Sequence, residues 1–114
     1  MVATREELRK FLNFKHRLEP LISIISVNYN GVELTCGMID SLMKFNSVPA
    51  EIIIVDNGSK TDESLLLKEK YGDSIIVIRS EKNLGFAGGN NLGLKQAKGK
   101  FLLLLNNDTE IKSD

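Results

Sequence analysis

The sequence lacks the features of a membrane-spanning, secreted or disulfide-bonded protein. Its longest uninterrupted apolar run, residues 101–105, is far shorter than the roughly 20 residues that a membrane-spanning helix needs. Residues 1–19 hold no apolar stretch followed by small residues, so they do not form a secretory signal. The single cysteine, Cys36, cannot form an internal disulfide and fits a reducing compartment. We therefore predict a cytoplasmic location and no membrane segment.

The sequence also lacks an excess of either charge and is poor in histidine. Fifteen basic and fifteen acidic side chains give a formal net charge of zero, which does not favour a nucleic-acid or anionic-membrane partner. The one histidine, His16, lies between Lys15 and Arg17, where we expect it to be solvated and not catalytic. With 114 residues and a 42% apolar fraction, the chain suits a single globular domain.

What is present begins with a helical pattern in the first 20 residues. Thr4 and Glu7 have the spacing of a capping box, and Pro20 ends the segment. The apolar residues that share one face of this helix are Leu8, Phe11, Leu12 and Leu18. We predict an N-terminal helical extension over residues 1–20, which either covers part of the core or extends from a longer protein.

From residue 21 onward, short apolar segments alternate with helical segments. The four apolar segments, predicted as strands, are residues 21–27, 51–56, 74–79 and 100–106. Each is apolar on both faces, as in a parallel sheet covered by helices. Three strand–helix–strand repeats predict an α/β fold: a Rossmann-like, mainly parallel sheet of about four strands with flanking helices. In the strand order 3-2-1-4, strands one and four are neighbours, and ligands bind at the carboxyl ends of the strands.

The three helical segments between these strands carry their own start and stop signals. In the first, Asn30 and Glu33 are expected to form a cap pair. Its apolar face is predicted to consist of Leu34, Met38, Ile39 and Leu42. The second, residues 59–72, has acids in its first turn, lysines in its last turn and Gly72 as a stop. The third begins in a glycine-rich stretch and ends on Gly99.

Polar residues and glycines follow every predicted strand, so four loops are expected to meet at one edge of the sheet. The candidate binding residues are Val27, Asn28, Tyr29 and Asn30 after strand one, Asp56 and Asn57 after strand two, Asn83, Gly85, Gly88, Gly89 and Asn90 after strand three, and Asn106, Asn107 and Asp108 after strand four. Asparagine, aspartate and glycine also form ordinary βα turns, so each loop taken alone has a purely structural explanation. Together the four loops suit a nucleotide.

Asp56 is the sharpest candidate among these residues. A carboxylate at a strand end accepts the N3–H of uracil or thymine, whereas cytosine has no hydrogen there, so Asp56 would select the base. Tyr29 either lays its ring on that base or covers the core. Gly85, Gly88 and Gly89 permit close backbone approach or a positive φ, and the N–H groups that open the next helix can face an anion. The G-x-G-x-x-G and P-loop patterns are absent, which disfavours dinucleotide and P-loop sites.

Asp108 is the candidate metal ligand. A lone carboxylate is a poor cage for a metal ion, but a diphosphate supplies further oxygens. Mg²⁺ commonly takes only one or two protein carboxylates beside phosphates and waters. The run from the fourth strand through Asn106 and Asn107 to Asp108 would then hold metal and diphosphate together.

Four ordered motifs, SVNYNG, IIIVDNGSKTDES, NLGFAGGNN and FLLLLNND, resemble the nucleotide-binding half of family 2 glycosyltransferases with the GT-A fold, over about residues 21–110. The resemblance implies an inverting transfer of a sugar from a nucleoside diphosphate sugar, with Mg²⁺ or Mn²⁺ helping the diphosphate leave. It implies that Asp56 contacts the base and that residues 27–30 border base and ribose. It also implies that Asn83 and the glycine loop lie along the nucleotide.

The family's D-x-D element falls on Asn106, Asn107 and Asp108, and only its last acid is present. This departure implies weaker metal binding without the donor, and the NND and GFAGGNN variants resemble rhamnosyltransferase-type members. The implied donor is a UDP- or dTDP-sugar, with rhamnose the leading candidate. The implied acceptor is a saccharide or lipid-linked glycan in bacterial cell-surface polysaccharide synthesis, with the full-length enzyme at the inner face of the membrane.

The resemblance also implies that residues 21–114 are the nucleotide-sugar-binding part of a longer glycosyltransferase domain. Family members carry the acceptor site and the general base in residues beyond this part, so no catalytic residue is assigned here. We expect the 114 residues to bind donor weakly without transferring sugar. We also expect the outer edge of the fourth strand to be unpaired, which invites self-association.

Three other functions are compatible with an α/β sheet. A receiver-like regulatory module needs acids after the first strand, where this chain has VNYNG. A nucleotidyltransferase usually has a basic glycine-rich loop after strand one, which is absent. A structural or non-catalytic nucleotide-binding domain, in which the loops merely turn or hold a nucleotide without transfer, stays open at this point.

Overall fold

The structure, a computed structural model, describes residues 3–10, 20–45 and 48–112. Within these residues the sheet has four strands: β1 (Ile22–Asn28), β2 (Ala50–Asn57), β3 (Ile76–Ser80) and β4 (Phe101–Leu104). The helices between them are α1 (Val32–Phe45), α2 (Glu63–Tyr71) and α3 (Gly85–Gln96), and a 3-10 turn at Gly72–Ser74 precedes β3. The alternation of strand and helix is the one that the apolar segments predict.

All three strand pairs of the sheet are parallel, and the strand order is β3-β2-β1-β4. The predicted α/β fold and strand order are therefore confirmed. The register places Asn28 opposite Asp56 and Asp56 opposite Arg79, so three polar residues lie side by side at the carboxyl ends of neighbouring strands.

The core lies mainly between the sheet and helices α1 and α2. Its buried members are Ile24, Met38, Ile39, Leu42, Ile52, Ile54, Leu67 and Ile75. Helix α3 packs on β1 and β2, and a Cβ on Gly93 would lie only 2.5 Å from Ile25 Cγ2. Glycine at this position therefore lets the helix approach the sheet closely, which fixes where the start of α3 meets the strand ends.

Helix α2 has the termini that its sequence predicts. The side chain of Asp62 accepts a hydrogen bond from the Ser64 N–H, and Glu63 lies in the first turn. Lysines 68 and 70 occupy the last turn, where they complement the helix dipole. Gly72 follows with φ +55°, a left-handed conformation that favours glycine, and ends the helix.

Two predictions about helix α1 are wrong. Asn30 and Glu33 do not form a cap pair; Asn30 has φ +51°, its N–H donates to Ser59 Oγ, and its side-chain oxygen accepts from the Lys60 N–H. Asn30 therefore ties the β1–α1 loop to the β2–α2 loop. Leu34 is 56% exposed, because only Met38, Ile39 and Leu42 of the predicted apolar face turn towards the core.

Strand β4 differs most from its prediction. It is shorter than residues 100–106, and its four side chains are between 43% and 61% exposed instead of covered on both faces. Within the described residues β4 pairs with β1 alone, and α3 covers β1 and β2, so β4 forms an exposed edge of the sheet. Strand β3 begins at Ile76, later than predicted, because Gly72–Ser74 forms the 3-10 turn.

The N-terminal extension is described only in part. Residues 5–10 are helical, the Glu7 N–H donates to Thr4 Oγ1 at 3.1 Å as predicted, and Leu8 is exposed. Phe11, Leu12, His16 and Leu18 lie outside the described residues, so the extension over residues 1–20 stays a prediction. Among the described residues no helix is long and apolar enough to cross a bilayer.

Candidate functional site

The carboxyl edge of the sheet is organised around the buried carboxylate of Asp56. This side chain is 0% exposed, and both of its oxygens accept hydrogen bonds. Oδ1 accepts from Asn28 Nδ2 at 3.2 Å and from the Ser59 hydroxyl. Oδ2 accepts from the Arg79 guanidinium at 2.7 Å and from the Ser64 N–H at 3.0 Å. Four donors, from β1, β3, the β2–α2 loop and helix α2, thus converge on one acid.

Arg79 is a site residue that sequence reasoning missed. It lies in the register position opposite Asp56, and its side chain is 19% exposed. The hydrogen bond to Asp56 is the main cause that raises the pKa of Arg79. A single basic residue at the end of the apolar segment IIVIR, next to a strand that ends in an acid, is the signal that could have found it.

The predicted contact of Asp56 with a base stays a prediction, and the structure defines what it requires. With its four hydrogen bonds the carboxylate has no unpaired lone-pair direction left. A base N3–H therefore meets Asp56 only if Ser59 or Arg79 gives up its bond. Tyr29, at the tip of the neighbouring loop, is 47% exposed, which favours a ring available for stacking over a cover of the core.

Asn57 and Asn83 form a clamp between the end of β2 and the start of α3. Asn57 Oδ1 accepts from the Leu84 N–H at 3.0 Å, and Asn57 Nδ2 donates to Asn83 Oδ1 at 3.1 Å and to the Gly85 carbonyl at 3.0 Å. Asn83 Oδ1 also accepts from the Gly85 N–H. Their amides support the loop in this conformation, and their contact with a nucleotide stays a prediction.

The three candidate glycines have distinct roles, and all of them lie in the first turns of helix α3. Gly85 has φ +77°, the left-handed conformation that its residue type permits. A Cβ on Gly88 would lie 2.7 Å from Leu84 Cβ, and one on Gly89 would lie 3.0 Å from Val27 Cγ2. Asn90 is buried, and its amide donates to the Phe86 carbonyl within the same helix. These residues shape the edge by close packing.

An open cleft lies between the end of β1, the start of α3 and the loop after β4. Its volume is about 230 Å³, and its lining residues are Val27, Phe86, Leu105, Asn106, Asn107 and Asp108. Apolar side chains form one part of the wall, and Asn106 and Asp108 are exposed on the other. A complete ligand pocket usually encloses roughly 300 Å³ or more, so this cleft suits one portion of a larger ligand.

A second cleft of about 360 Å³ lies on the other side of the β1–α1 loop. It is lined by residues 30–34 and Glu63. Val27 lines the first cleft and Asn30 lines the second, so the loop that contains Tyr29 lies between the two clefts. The structure therefore brings the predicted residues Val27, Asn106, Asn107 and Asp108 together in the first cleft and places Asn30 in the second. The residues predicted after strand three line neither cleft, and the α3 residue on the wall of the first cleft is Phe86.

The donor set around Asp108 fits a divalent cation that arrives with a phosphate ligand. Among the described residues no group of three or more His, Cys, Asp or Glu side chains could hold a metal ion. Asp108 instead has two asparagines beside it on the wall of the first cleft. Carboxylate and amide oxygens are hard ligands suited to Mg²⁺ or Mn²⁺, but the protein alone offers too few of them for a closed cage.

Comparison with known proteins gives a consistent family. Residues 23–114 match the sequence model described as Glycosyl transferase family 2. An uncharacterized glycosyltransferase of Haemophilus influenzae is 36% identical over 88 residues, which are 77% of this chain and 29% of that protein. The structure of Staphylococcus aureus TarS 1-349 in complex with UDP-GlcNAc shares 33% identity and a TM-score of 0.67, over 76% of this chain and 26% of that chain.

A more distant structure has the same fold. The mannosyltransferase PcManGT of Pyrobaculum calidifontis, in complex with GDP-Man and Mn²⁺, has a TM-score of 0.67 at 16% identity, over 87% of this chain and 34% of that chain. This chain thus spans about a third or less of the length of each of these three proteins. The family match over residues 23–114, the parallel sheet of order β3-β2-β1-β4 and the identity to these glycosyltransferases show that the chain belongs to glycosyltransferase family 2 and has the GT-A fold.

Proposed function

We propose that these residues bind the nucleoside diphosphate of a UDP- or dTDP-sugar, as the donor-binding part of an inverting glycosyltransferase. The observation that carries the proposal is the first cleft, where exposed Asp108 and Asn106 lie beside Phe86 in the first turn of α3. The helix start offers N–H groups to phosphate oxygens, and Asp108 offers an oxygen to a cation. TarS, whose sequence is similar, was solved with UDP-GlcNAc.

The base is assigned to the β1 and β2 ends of the edge. Tyr29 stacks on the base, and Asp56 accepts its N3–H once Ser59 or Arg79 has moved. This arrangement favours uracil and thymine over cytosine, because only the first two carry a hydrogen at N3. The remaining proposed nucleotide-binding residues are Val27, Asn28, Asn30, Asn57, Asn83, Gly85, Gly88, Gly89, Asn90, Asn106 and Asn107, several of which act by shaping the loops.

The cation is assigned to Asp108. Mg²⁺ or Mn²⁺ bound there with the donor would neutralise the charge that develops on the departing diphosphate. The PcManGT complex with Mn²⁺, which shares the fold, is consistent with this assignment. Asp108 holds the diphosphate through this cation, Asn106 and Asn107 lie beside it, and Val27 and Phe86 make one wall of the cleft apolar.

The reaction of the intact enzyme follows from the chemistry of its donor. An acceptor hydroxyl attacks the anomeric carbon from the face opposite the diphosphate, which leaves with its electron pair, so the configuration inverts. The attack needs a general base within reach of the acceptor hydroxyl, and we assign no residue of this chain to that role. We therefore propose that these 114 residues bind the donor and do not transfer sugar, which an assay for turnover by the purified chain tests.

We place the intact enzyme in the cytoplasm at the inner face of the membrane, in cell-surface polysaccharide synthesis. The supporting relatives are TarS of Staphylococcus aureus, a poly(ribitol-phosphate) beta-N-acetylglucosaminyltransferase, and TuaG of Bacillus subtilis, a putative teichuronic acid biosynthesis glycosyltransferase. The proposed acceptor is accordingly a saccharide or a lipid-linked glycan. Rhamnose is the first donor sugar to test.

Calorimetric titration tests donor binding. We expect UDP and dTDP to bind more tightly than CDP in the presence of Mn²⁺, and EDTA to weaken all three. Asp108→Asn should remove the part of the affinity that depends on Mn²⁺, whereas Asp73→Asn, at the opposite edge of the sheet, should not change it. An absence of binding by the unmodified chain would refute the proposal.

The role of Asp56 needs a separate comparison. Asp56→Asn is expected to abolish the preference for UDP over CDP, because the NH₂ that replaces one carboxylate oxygen can donate to N3 of cytosine, whereas the remaining oxygen can accept from N3–H of uracil. This variant also leaves two of the four donors facing an NH₂ group instead of an oxygen, so its melting temperature must be recorded beside its affinity. A folded Asp56→Asn protein that still prefers UDP over CDP would show that another group reads the base.

A further inference from the structure

A continuous series of side-chain hydrogen bonds connects the two halves of the candidate site. Asn28 Nδ2 donates to Asp56 Oδ1 at 3.2 Å and to Glu63 Oε1 at 3.0 Å. The Thr35 hydroxyl, on helix α1, donates to Asn28 Oδ1 at 2.7 Å. Asn107 Nδ2, in the loop after β4, donates to Thr35 Oγ1 at 3.2 Å. The series therefore runs from the end of β2, through α1, to the wall of the first cleft.

The chemistry of its members gives this series a single direction. The carboxylates of Asp56 and Glu63 can only accept, so Asn28 must turn its NH₂ towards them and its carbonyl oxygen towards Thr35. Thr35 has one hydroxyl proton, which it donates in the hydrogen bond to Asn28 Oδ1. The lone pairs that are left on Thr35 Oγ1 can only accept, so Asn107 must present its NH₂ to Thr35.

Burial prevents the side chains from adopting the reverse orientation. Asn28, Thr35 and Asp56 are all fully buried, so a reversed amide would leave buried groups unpaired. Gly31 makes room for Asn107, because a Cβ at Gly31 would lie 3.0 Å from Asn107 Nδ2. With its NH₂ held against α1, Asn107 turns its carbonyl oxygen away from Thr35, and no donor among the described residues is paired with that oxygen.

We propose that Thr35 is a positioning residue that fixes the Asn107 amide, so that Asn107 offers its carbonyl oxygen, and not its NH₂, to a cation bound with a nucleoside diphosphate. Asn107 and Asp108 both line the first cleft, so the loop presents an amide oxygen beside a carboxylate. Hard divalent cations take both kinds of oxygen as ligands. The identity of this ligand rests on the proposed function, whereas the orientation of the Asn107 amide does not depend on it.

The first experiment needs no ligand. The side-chain NH₂ of Asn107 is observed by ¹⁵N NMR, with Asn107→Asp identifying its signals by their loss. In the unmodified protein the NH₂ protons should exchange with water slowly. Thr35→Val, which has nearly the same shape but no hydroxyl, should speed this exchange by roughly tenfold or more, and Thr35→Ser, which keeps the hydroxyl, should not. Equal exchange in Thr35→Val and unmodified protein would overturn the proposal.

The second experiment measures affinity for UDP with Mn²⁺ by calorimetry. Thr35→Val should weaken binding roughly tenfold, as loss of a partner that orients a metal ligand commonly does, and the loss should vanish in EDTA. Thr35→Ser should restore the affinity. In an Asn107→Ala background, Thr35→Val should not weaken the binding of UDP further, because Thr35 affects binding only by orienting Asn107. An equal loss in EDTA, or a further loss in that background, would overturn the proposal.

The two experiments separate the orientation from the proposed function. If the unmodified chain does not bind UDP, the proposed function fails, and the exchange of the Asn107 NH₂ still decides whether Thr35 positions it. If UDP binds but Thr35→Val changes neither exchange nor affinity, the proposed function stands and the role of Thr35 is refuted. The melting temperature of each variant shows whether it is folded. If Thr35→Val does not fold, Thr35→Ser and Asn107→Ala are compared with the unmodified chain instead.

Discussion

Two serines on β1 show how the effect of a buried hydroxyl depends on its neighbours. Ser23 and Ser26 are both fully buried. The hydroxyl of Ser23 donates to Glu51 and accepts from the Gly99 N–H at 2.7 Å, so it fastens the turn before β4. Ser26 Oγ has no partner among the described residues. An unpaired buried hydroxyl lowers the free energy of unfolding, because it has lost its hydrogen bonds to water.

We predict opposite effects of removing these two hydroxyls. Ser26→Ala should raise the free energy of unfolding by about 1 kcal/mol, because the buried unpaired oxygen is removed. Ser23→Ala should lower it by about 1 kcal/mol or more, because Glu51 and the Gly99 N–H lose a partner. Urea unfolding followed by circular dichroism measures both. A loss of stability in Ser26→Ala as large as that in Ser23→Ala would contradict the prediction.

Two helical glycines form a second contrast at the scale of single residues. A Cβ on Gly93 would lie 2.5 Å from Ile25 Cγ2, whereas a Cβ on Gly37 would have nothing within 4 Å. We predict that Gly93→Ala lowers the free energy of unfolding by about 2 kcal/mol, since overpacking outweighs the gain in helix propensity. Gly37→Ala should raise it by about 1 kcal/mol. Thermal unfolding of both variants checks this, and equal shifts would be inconsistent with close packing at Gly93.

At the scale of elements, helices α1 and α2 are joined by the hydroxyl of Tyr71. This hydroxyl donates to Asp40 Oδ1 at 2.7 Å and lies 3.1 Å from the Cys36 carbonyl. Burial first, and then the hydrogen bond to Asp40, raise the pKa of Tyr71 above its ordinary range. The folded state therefore holds the phenolic proton more tightly than the unfolded chain does.

This difference predicts a pH-dependent contribution of Tyr71. Below about pH 10 both states keep the proton, and the contribution is fully present. Above that pH the unfolded chain releases the proton first, so stability is lost as pH rises. Tyr71→Phe should therefore lower the free energy of unfolding by about 1 kcal/mol at pH 7, and the deficit should shrink towards pH 11. A deficit that is constant from pH 7 to pH 11, in urea titrations, would exclude this role.

The elements were predictable from the sequence wherever local pattern decides them. Apolar segments and helix signals fixed the alternation of strands and helices, and the stop at Gly72 was visible as a residue type. The exposure of β4 was not predictable, because burial depends on which element covers a strand and an apolar pattern alone does not reveal it. The role of Asn30 was missed for the same reason, since its partners Ser59 and Lys60 are distant in sequence.

The location of the candidate site was predictable from the sequence, but the roles of several of its residues were not. Parallel strands bring their carboxyl ends to one edge, so the positions of Asp56, Asn57 and Asp108 near that edge follow from strand order. Thr35 was missed because a threonine inside a helix has no local signature, and Arg79 because its signal, a lone basic residue at a strand end, acquires meaning only once β3 is placed beside β2. Their importance comes from Asn107 and Asp56, which only the folded chain brings within hydrogen-bond distance.

At the scale of the whole molecule, the exposed edge of β4 predicts self-association. Phe101–Leu104 presents apolar side chains and an unpaired outer backbone within the described part of the chain, and such edges pair with other strands. We expect sedimentation velocity to show dimers or larger species whose fraction rises with concentration. Leu103→Lys should shift them to monomer, because a charge on the edge disfavours pairing, whereas Leu65→Lys, at an exposed position on α2, should not. A monomeric unmodified chain at high concentration would rule out pairing through β4.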